Sequence, residues 1–184
     1  DIDSSNAQIL GNMFTFGLGV DAKNVAESDL TLFAHTAMSN PHGNGATDDY
    51  QIVNPVAGTT ASGDVGFSQA DYAQGEMLKD NGYSVYIGAK YDFLQSFNFG
   101  LEYNYGSKYW FSATQGAEDI YNKLATRGSV LEAYTTWKFH KNINAKIGYM
   151  YTDEQYTGSG WHFGEPAEKD GTQSIGYMSI NAKY

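Results

Sequence analysis

A serine hydrolase carries its nucleophile on a Gly-x-Ser-x-Gly turn. The nearest string in this chain, Gly158-Ser159-Gly160, lacks that spacing and reads as a flexible loop. Four histidines, His35, His42, His140 and His162, are scattered without a His-x-x-x-His pair, so a zinc site would need distant loops to converge. Gly17-Leu18-Gly19 is not followed by the rest of a dinucleotide fingerprint, and no phosphate loop is present. The chain has no cysteine, which removes disulfides, thiolate metal sites and a thiol nucleophile together. No enzymatic activity, no catalytic residue, no metal site and no cofactor is expected.

Two stretches gather acid. Residues 40–81 hold Asp48, Asp49, Asp64, Asp71, Glu76 and Asp80 against Lys79, and residues 153–174 hold Asp153, Glu154, Glu165, Glu168 and Asp170 against Lys169. Converging carboxylates could recruit divalent cations such as Ca2+ or Mg2+. Neither stretch has the spacing of a calcium loop, and the plainer reading is a solvated surface that repels other chains. Trp161, His162 and Phe163 could form a sugar-stacking lip, and they fit equally a cluster that folds its loop against a rim.

The remaining charges of interest are Lys90, Glu102, Glu132, Lys138 and Lys146, each on the polar side of a segment that alternates polar and apolar residues. Charges lining a pore set its ion preference and orient polar solutes. If those side chains faced lipid at mid-depth instead, each Lys would cost about 2–4 kcal/mol, which identifies their side as a lumen. The competing role is neutralisation across strands, which would hold the wall without selecting a solute.

Seven segments must position these residues. Period-2 alternation, the main strand signal, runs through residues 10–20, 30–38, 82–93, 97–105, 131–139, 143–151 and 176–184. Residues 82–93 place Val85, Ile87, Ala89, Tyr91 and Phe93 on one side and Ser84, Tyr86, Gly88, Lys90 and Asp92 on the other. Pairing Phe93 with Phe97 across the next turn would set Lys90 opposite Gly100 and diagonal to Glu102. The links 22–29, 94–96 and 140–142 are short, whereas 40–81, 112–128 and 153–174 are long, the arrangement of a membrane β-barrel with periplasmic turns and extracellular loops.

A soluble sandwich would alternate as well. Aromatic placement separates the two. Tyr91, Phe93 and Phe97 stand at the short-turn end and Tyr103, Tyr105, Tyr149 and Tyr151 toward the long loops, bracketing aliphatic Val85, Ile87, Ala89, Leu101, Ala145 and Ile147. Such belts suit a bilayer, and a water-soluble core has no reason to sort rings to its rims. The 21 Gly and 15 Tyr and the mean hydropathy of -0.46 fit a barrel whose strands are apolar at every second position only. A net charge of -10 leaves no phosphate-tracking surface, so no nucleic-acid partner is expected.

The expected fold is therefore all-β, an antiparallel up-and-down transmembrane β-barrel in which residues 1–184 form a single domain or barrel fragment, located in the bacterial outer membrane. Single-chain bacterial barrels have an even number of strands, so a count of seven implies the carboxyl-terminal strands of a larger barrel, a strand missed in an eight-stranded one, or closure by oligomerisation. The absence of an initiator Met and of a leader-like start agrees with a piece of a longer protein. The expected partners are the lipid bilayer and small polar or ionic solutes passing through a channel. A surface-binding or adhesion barrel displaying acidic loops is the alternative.

The strings YNYGSKYWFSATQGAEDIYNKLATRGSVLEAY and YTGSGWHFGEP resemble the carboxyl-terminal portion of the domain-of-unknown-function 3373 family of bacterial outer-membrane proteins, over roughly residues 82–184. The resemblance implies a channel-like outer-membrane protein considerably longer than 184 residues and transfers no catalytic residue. The closing alternation of Ile180, Ala182 and Tyr184 resembles the carboxyl-terminal recognition signal of outer-membrane proteins.

Overall fold

Residues with β-branched or aromatic side chains at every second position fit a pleated surface with two unlike faces, and the chain folds accordingly. The computed structural model describes residues 11–43, 54–59, 65–68, 80–112, 121–157 and 166–183. Seven strands form one antiparallel meander: β1 (Gly11–Ala22), β2 (Leu30–Gly43), β5 (Gly82–Leu94), β6 (Phe97–Gly106), β7 (Gly128–His140), β8 (Ile143–Tyr156) and β9 (Glu168–Ala182). Between β2 and β5, β3 (Asn54–Thr59) and β4 (Val65–Ser68) make a separate two-stranded sheet. No helix among the described residues is long and apolar enough to cross a membrane.

The seven-stranded sheet is not closed. Among the described residues β1 and β9 each pair on one side only, with β2 and β8 respectively. Seven alternating directions make these two edge strands run the same way.

The sidedness of the sheet is the reverse of a water-soluble one. Val85, Leu101 and Ile147 are 36%, 45% and 55% exposed, whereas Glu102 and Glu132 on the other face are 8% and 4% exposed. No sheet or helix of the described residues covers the apolar face. Rings gather at its ends, although Tyr149 stands in the row of Leu101: Phe93, Phe97, Trp137 and Phe139 form a ladder near the short turns with successive centroids 6.0, 5.7 and 5.0 Å apart. Tyr83 and Tyr105 pair 6.1 Å apart toward the other end. The buried apolar side chains of the described residues are Trp110, Ala125, Val130 and Met150, and they lie against the polar face.

Several expectations require correction. Strand reaches into the stretch 153–174 from both ends, because β8 continues to Tyr156 and β9 begins at Glu168, eight residues before the predicted start. Asp153, Glu154, Glu168 and Asp170 therefore stand along paired strands instead of clustering in a loop, with Glu154 bonded to Lys169. Glycine, threonine and glutamine in Gly171–Ser174 hide the alternation there. Residues 40–81 are likewise not loop throughout: β2 runs to Gly43, and Asn54–Thr59 is a strand despite Pro55, which a two-stranded sheet tolerates because its strands are all edges. Asp48, Asp49, Asp64, Asp71 and Glu76 lie outside the described residues, as do Ser159, Trp161, His162, Phe163 and Glu165. The weakly alternating segment 30–38 is a full strand, held on both sides by partners of clear pattern.

The register of the first clear hairpin sets Lys90 opposite Gly100, as the sequence predicts, although a bulge pairs Leu94, and not Phe93, with Phe97. The turn 95–96 reaches Leu94 directly, and the bulge takes up the one-residue difference.

Candidate functional site

Glycine is frequent on the polar face because aromatic rings from the neighbouring strand lie on it. Gly100 is paired with Tyr134, Gly148 with Tyr177 and Gly88 with Phe33. A Cβ on Gly100 would sit 2.2 Å from Tyr134 Cζ, and one on Gly148 2.4 Å from Tyr177 Cζ. Each ring therefore lies flat along the wall only because its cross-strand partner has no side chain. Gly100→Ala is expected to lift the Tyr134 ring and cost about 1–3 kcal/mol, the range of overpacking, measurable as a lower urea midpoint followed by tryptophan emission. An unchanged midpoint would show that the ring has room to turn away freely.

These rings frame a charge cluster. Glu102 on β6 and Glu132 on β7 are direct cross-strand partners, a juxtaposition that like charges disfavour. Lys123, from a single 3-10 turn at Lys123–Ala125, places its Nζ 2.5 Å from Glu102 Oε2 and also bonds Glu132. Lys146 Nζ lies 2.9 Å from Glu132 Oε1 and 3.8 Å from the centroid of the Tyr134 ring. Tyr86 Oη donates to Glu102 Oε2 at 2.6 Å, and Tyr177 Oη donates to Glu132. Two carboxylates and two ammoniums thus meet on one buried patch, with the hydroxyl groups supplying further donors.

The five predicted residues separate into two groups. Glu102, Glu132 and Lys146 come together in this cluster. Lys90 stands apart, 3.1 Å from Asp92 and half-buried on the same face. Lys138 is exposed near the short turns, paired in register with Asn144. The residue that sequence reasoning missed is Lys123. It sits in the predicted long loop 112–128, whose described part lies over the polar face.

That placement is built from backbone acceptors. Asn104 Nδ2 donates to Lys123 O at 2.9 Å, Trp110 Nε1 to Leu124 O at 2.8 Å, and Phe111 N to Ser39 Oγ at 3.4 Å. Arg127 is buried and donates from Nε to Trp110 O and from Nη1 to Thr157 O, both at 2.9 Å, while its own carbonyl accepts from Gln155 N and Tyr156 N. Arg127 therefore ties the segments 107–112 and 121–127 to the end of β8. Burial pushes its guanidinium down to about 10, with Tyr109 opposing the shift. Burial alone would push the Lys123 ammonium down as well. Hydrogen bonds and charge from Glu102 and Glu132 outweigh it, and the pKa lies above the ordinary 10.5. Lys123 is accordingly charged at every pH below the ordinary lysine range, and its contribution to folding is lost only as pH rises through the raised value.

Beside this in-turned part a cleft of about 400 Å³ remains, bounded by Thr15, Gly17 and Gly19 of β1, His35 of β2, Tyr86 of β5 and Trp110. His35 Nε2 stands 3.5 Å from Asp21 Oδ1, and His140 accepts from Asn142 N through Nδ1 at the short turn. Among the described residues no three histidine or carboxylate side chains converge as a metal site would require.

No curated protein and no solved structure matches the chain. A family model does match, over residues 2–182, so the relation extends well before the strings around Tyr105 and Trp161 that first suggest it. Covering nearly the whole chain, that match places the protein in the family described as protein of unknown function (DUF3373).

Proposed function

We propose that this chain forms part of the wall of a transmembrane β-barrel in the bacterial outer membrane, and that the barrel is a passive channel for small polar or ionic solutes. One observation carries the reading: the large apolar side chains of one face of the sheet are exposed while Glu102 and Glu132 on the other are buried. Burying a large apolar side chain is worth about 1.5–3 kcal/mol. Among the described residues 24 are partly exposed, and leaving them to water would forfeit more than the 5–15 kcal/mol that holds a typical domain together. Acyl chains remove that conflict, and the aromatic ladder from Phe93 to Phe139 then lies at a headgroup level. On this reading β1 and β9 are completed by further strands. As the two run in the same direction, an all-antiparallel closure takes an odd number of them, giving the even total usual in bacterial barrels.

Solute passes along the polar face, through space such as the cleft beside Tyr86 and Trp110. Passage involves no chemical step. The test is single-channel conductance of the full-length protein in a planar bilayer, with stepwise current expected. Correctly folded barrels that carry no current would overturn the channel and favour the surface-binding alternative, for which the inward packing of Trp110, Ala125, Val130 and Met150 is the supporting observation. A barrel of about eight strands is filled by side chains, whereas about sixteen leave water inside.

A further inference from the structure

Resting on the channel reading, we infer that Lys123 sets the charge selectivity of the pore: it is the counter-charge that turns an anionic stretch of wall into a neutral one. At the level of the cross-strand pair Glu102 and Glu132, the strands themselves supply two carboxylates and the single ammonium of Lys146. Lys90, farther along the same face, is matched by Asp92. At the level of that pair the strands alone therefore carry one excess negative charge among the described residues, Lys138 lying farther off near the short turns. Lys123 removes it from outside the wall, bridging both carboxylates from the in-turned segment.

The position of Lys123 does not depend on its ammonium. Asn104 holds the Lys123 carbonyl, Trp110 holds the next carbonyl, and Arg127 fixes the segment at its other end. Substituting the side chain thus changes the charge at this level while leaving several anchors of the segment in place. One uncompensated charge about 4–5 Å from a permeating ion in water changes its local concentration about fivefold. Cation and anion shift in opposite directions, so their ratio is expected to change by the square of that factor, about 25-fold.

The experiment measures reversal potentials of the full-length protein in a planar bilayer under a KCl gradient. K123Q is expected to raise the K+/Cl- permeability ratio about 25-fold, K123R to leave it as in the unsubstituted protein, and E102Q to lower it by a similar factor. E102Q/K123Q should return it to the starting value. A K123Q ratio equal to that of K123R would overturn the inference while leaving the channel intact. Should K123Q fail to insert, an E102Q shift that persists in E102Q/K123Q would overturn it equally. Absence of current from every variant, including the unsubstituted protein, would instead remove the channel on which the inference rests.

Discussion

Replacing Glu132 with alanine is expected to destabilise the folded protein by about 3–5 kcal/mol, the cost of breaking a buried ion pair from one side. Three donors lose an acceptor at once: Lys123, Lys146 and the Tyr177 hydroxyl. Lys123 keeps Glu102, but Lys146 keeps only the face of Tyr134 and, more distantly, that of Tyr177. Glu132→Gln should fall between, since its amide retains an acceptor and turns its own donors toward the ammoniums. Combining Glu132→Ala with Lys146→Met should recover part of the loss, because the stranded charge goes with its partner. Urea titration of the four proteins checks this. A loss below about 1 kcal/mol for Glu132→Ala, the range of exposed ion pairs, would mean that water screens the cluster.

The second large effect belongs to the other face. Leu101→Arg and Ile147→Arg are expected to cost about 2–4 kcal/mol each when the protein is folded in lipid vesicles, the penalty for a cation at mid-depth on a lipid-facing strand position. Phe93→Arg, at the rim beside the short turn, should cost only about 0–1 kcal/mol of depth penalty beyond the lost ring stacking with Phe97. A depth-dependent penalty distinguishes acyl chains from water. Equilibrium unfolding from vesicles supplies the measurement. Were Leu101→Arg to fall within ±0.5 kcal/mol of the parent, as ordinary surface substitutions do, Leu101 would face solvent and the membrane placement would fail.

The strands were legible because their signal is local. Alternation in 82–93, 97–105, 131–139 and 143–151 fixes which side chains share a face without knowledge of any partner, and it sets Lys90, Glu102, Glu132, Lys138 and Lys146 on the polar side. What was not legible depends on register. That Glu102 stands opposite Glu132 follows from the pairing of β6 with β7, which the twenty-one residues between Gly106 and Gly128 leave unspecified. Had that pair been known, the local excess of acid would have called for a cation, and residues 112–128 offer only Lys123 and Arg127. The glycines were ambiguous for a related reason: Gly100 and Gly148 look like weak strand positions until the rings of Tyr134 and Tyr177 are laid over them. The early start of β9 was hidden because Gly171, Thr172 and Gln173 carry no apolar contrast between faces.

The described parts of the stretch that joins β6 to β7 lie over the polar face of the sheet and pack Trp110 and Ala125 there, which in the proposed barrel would constrain the order of assembly. Once a ring of strands has shut, a loop with an indole and a guanidinium at its base has no easy route inward past the strand ends. It must settle while the sheet is still an open trough. Disabling the Arg127 anchor should therefore delay maturation more than it weakens the finished product, leaving late intermediates that are already threaded into lipid yet still accept a protease at the β6–β7 connection.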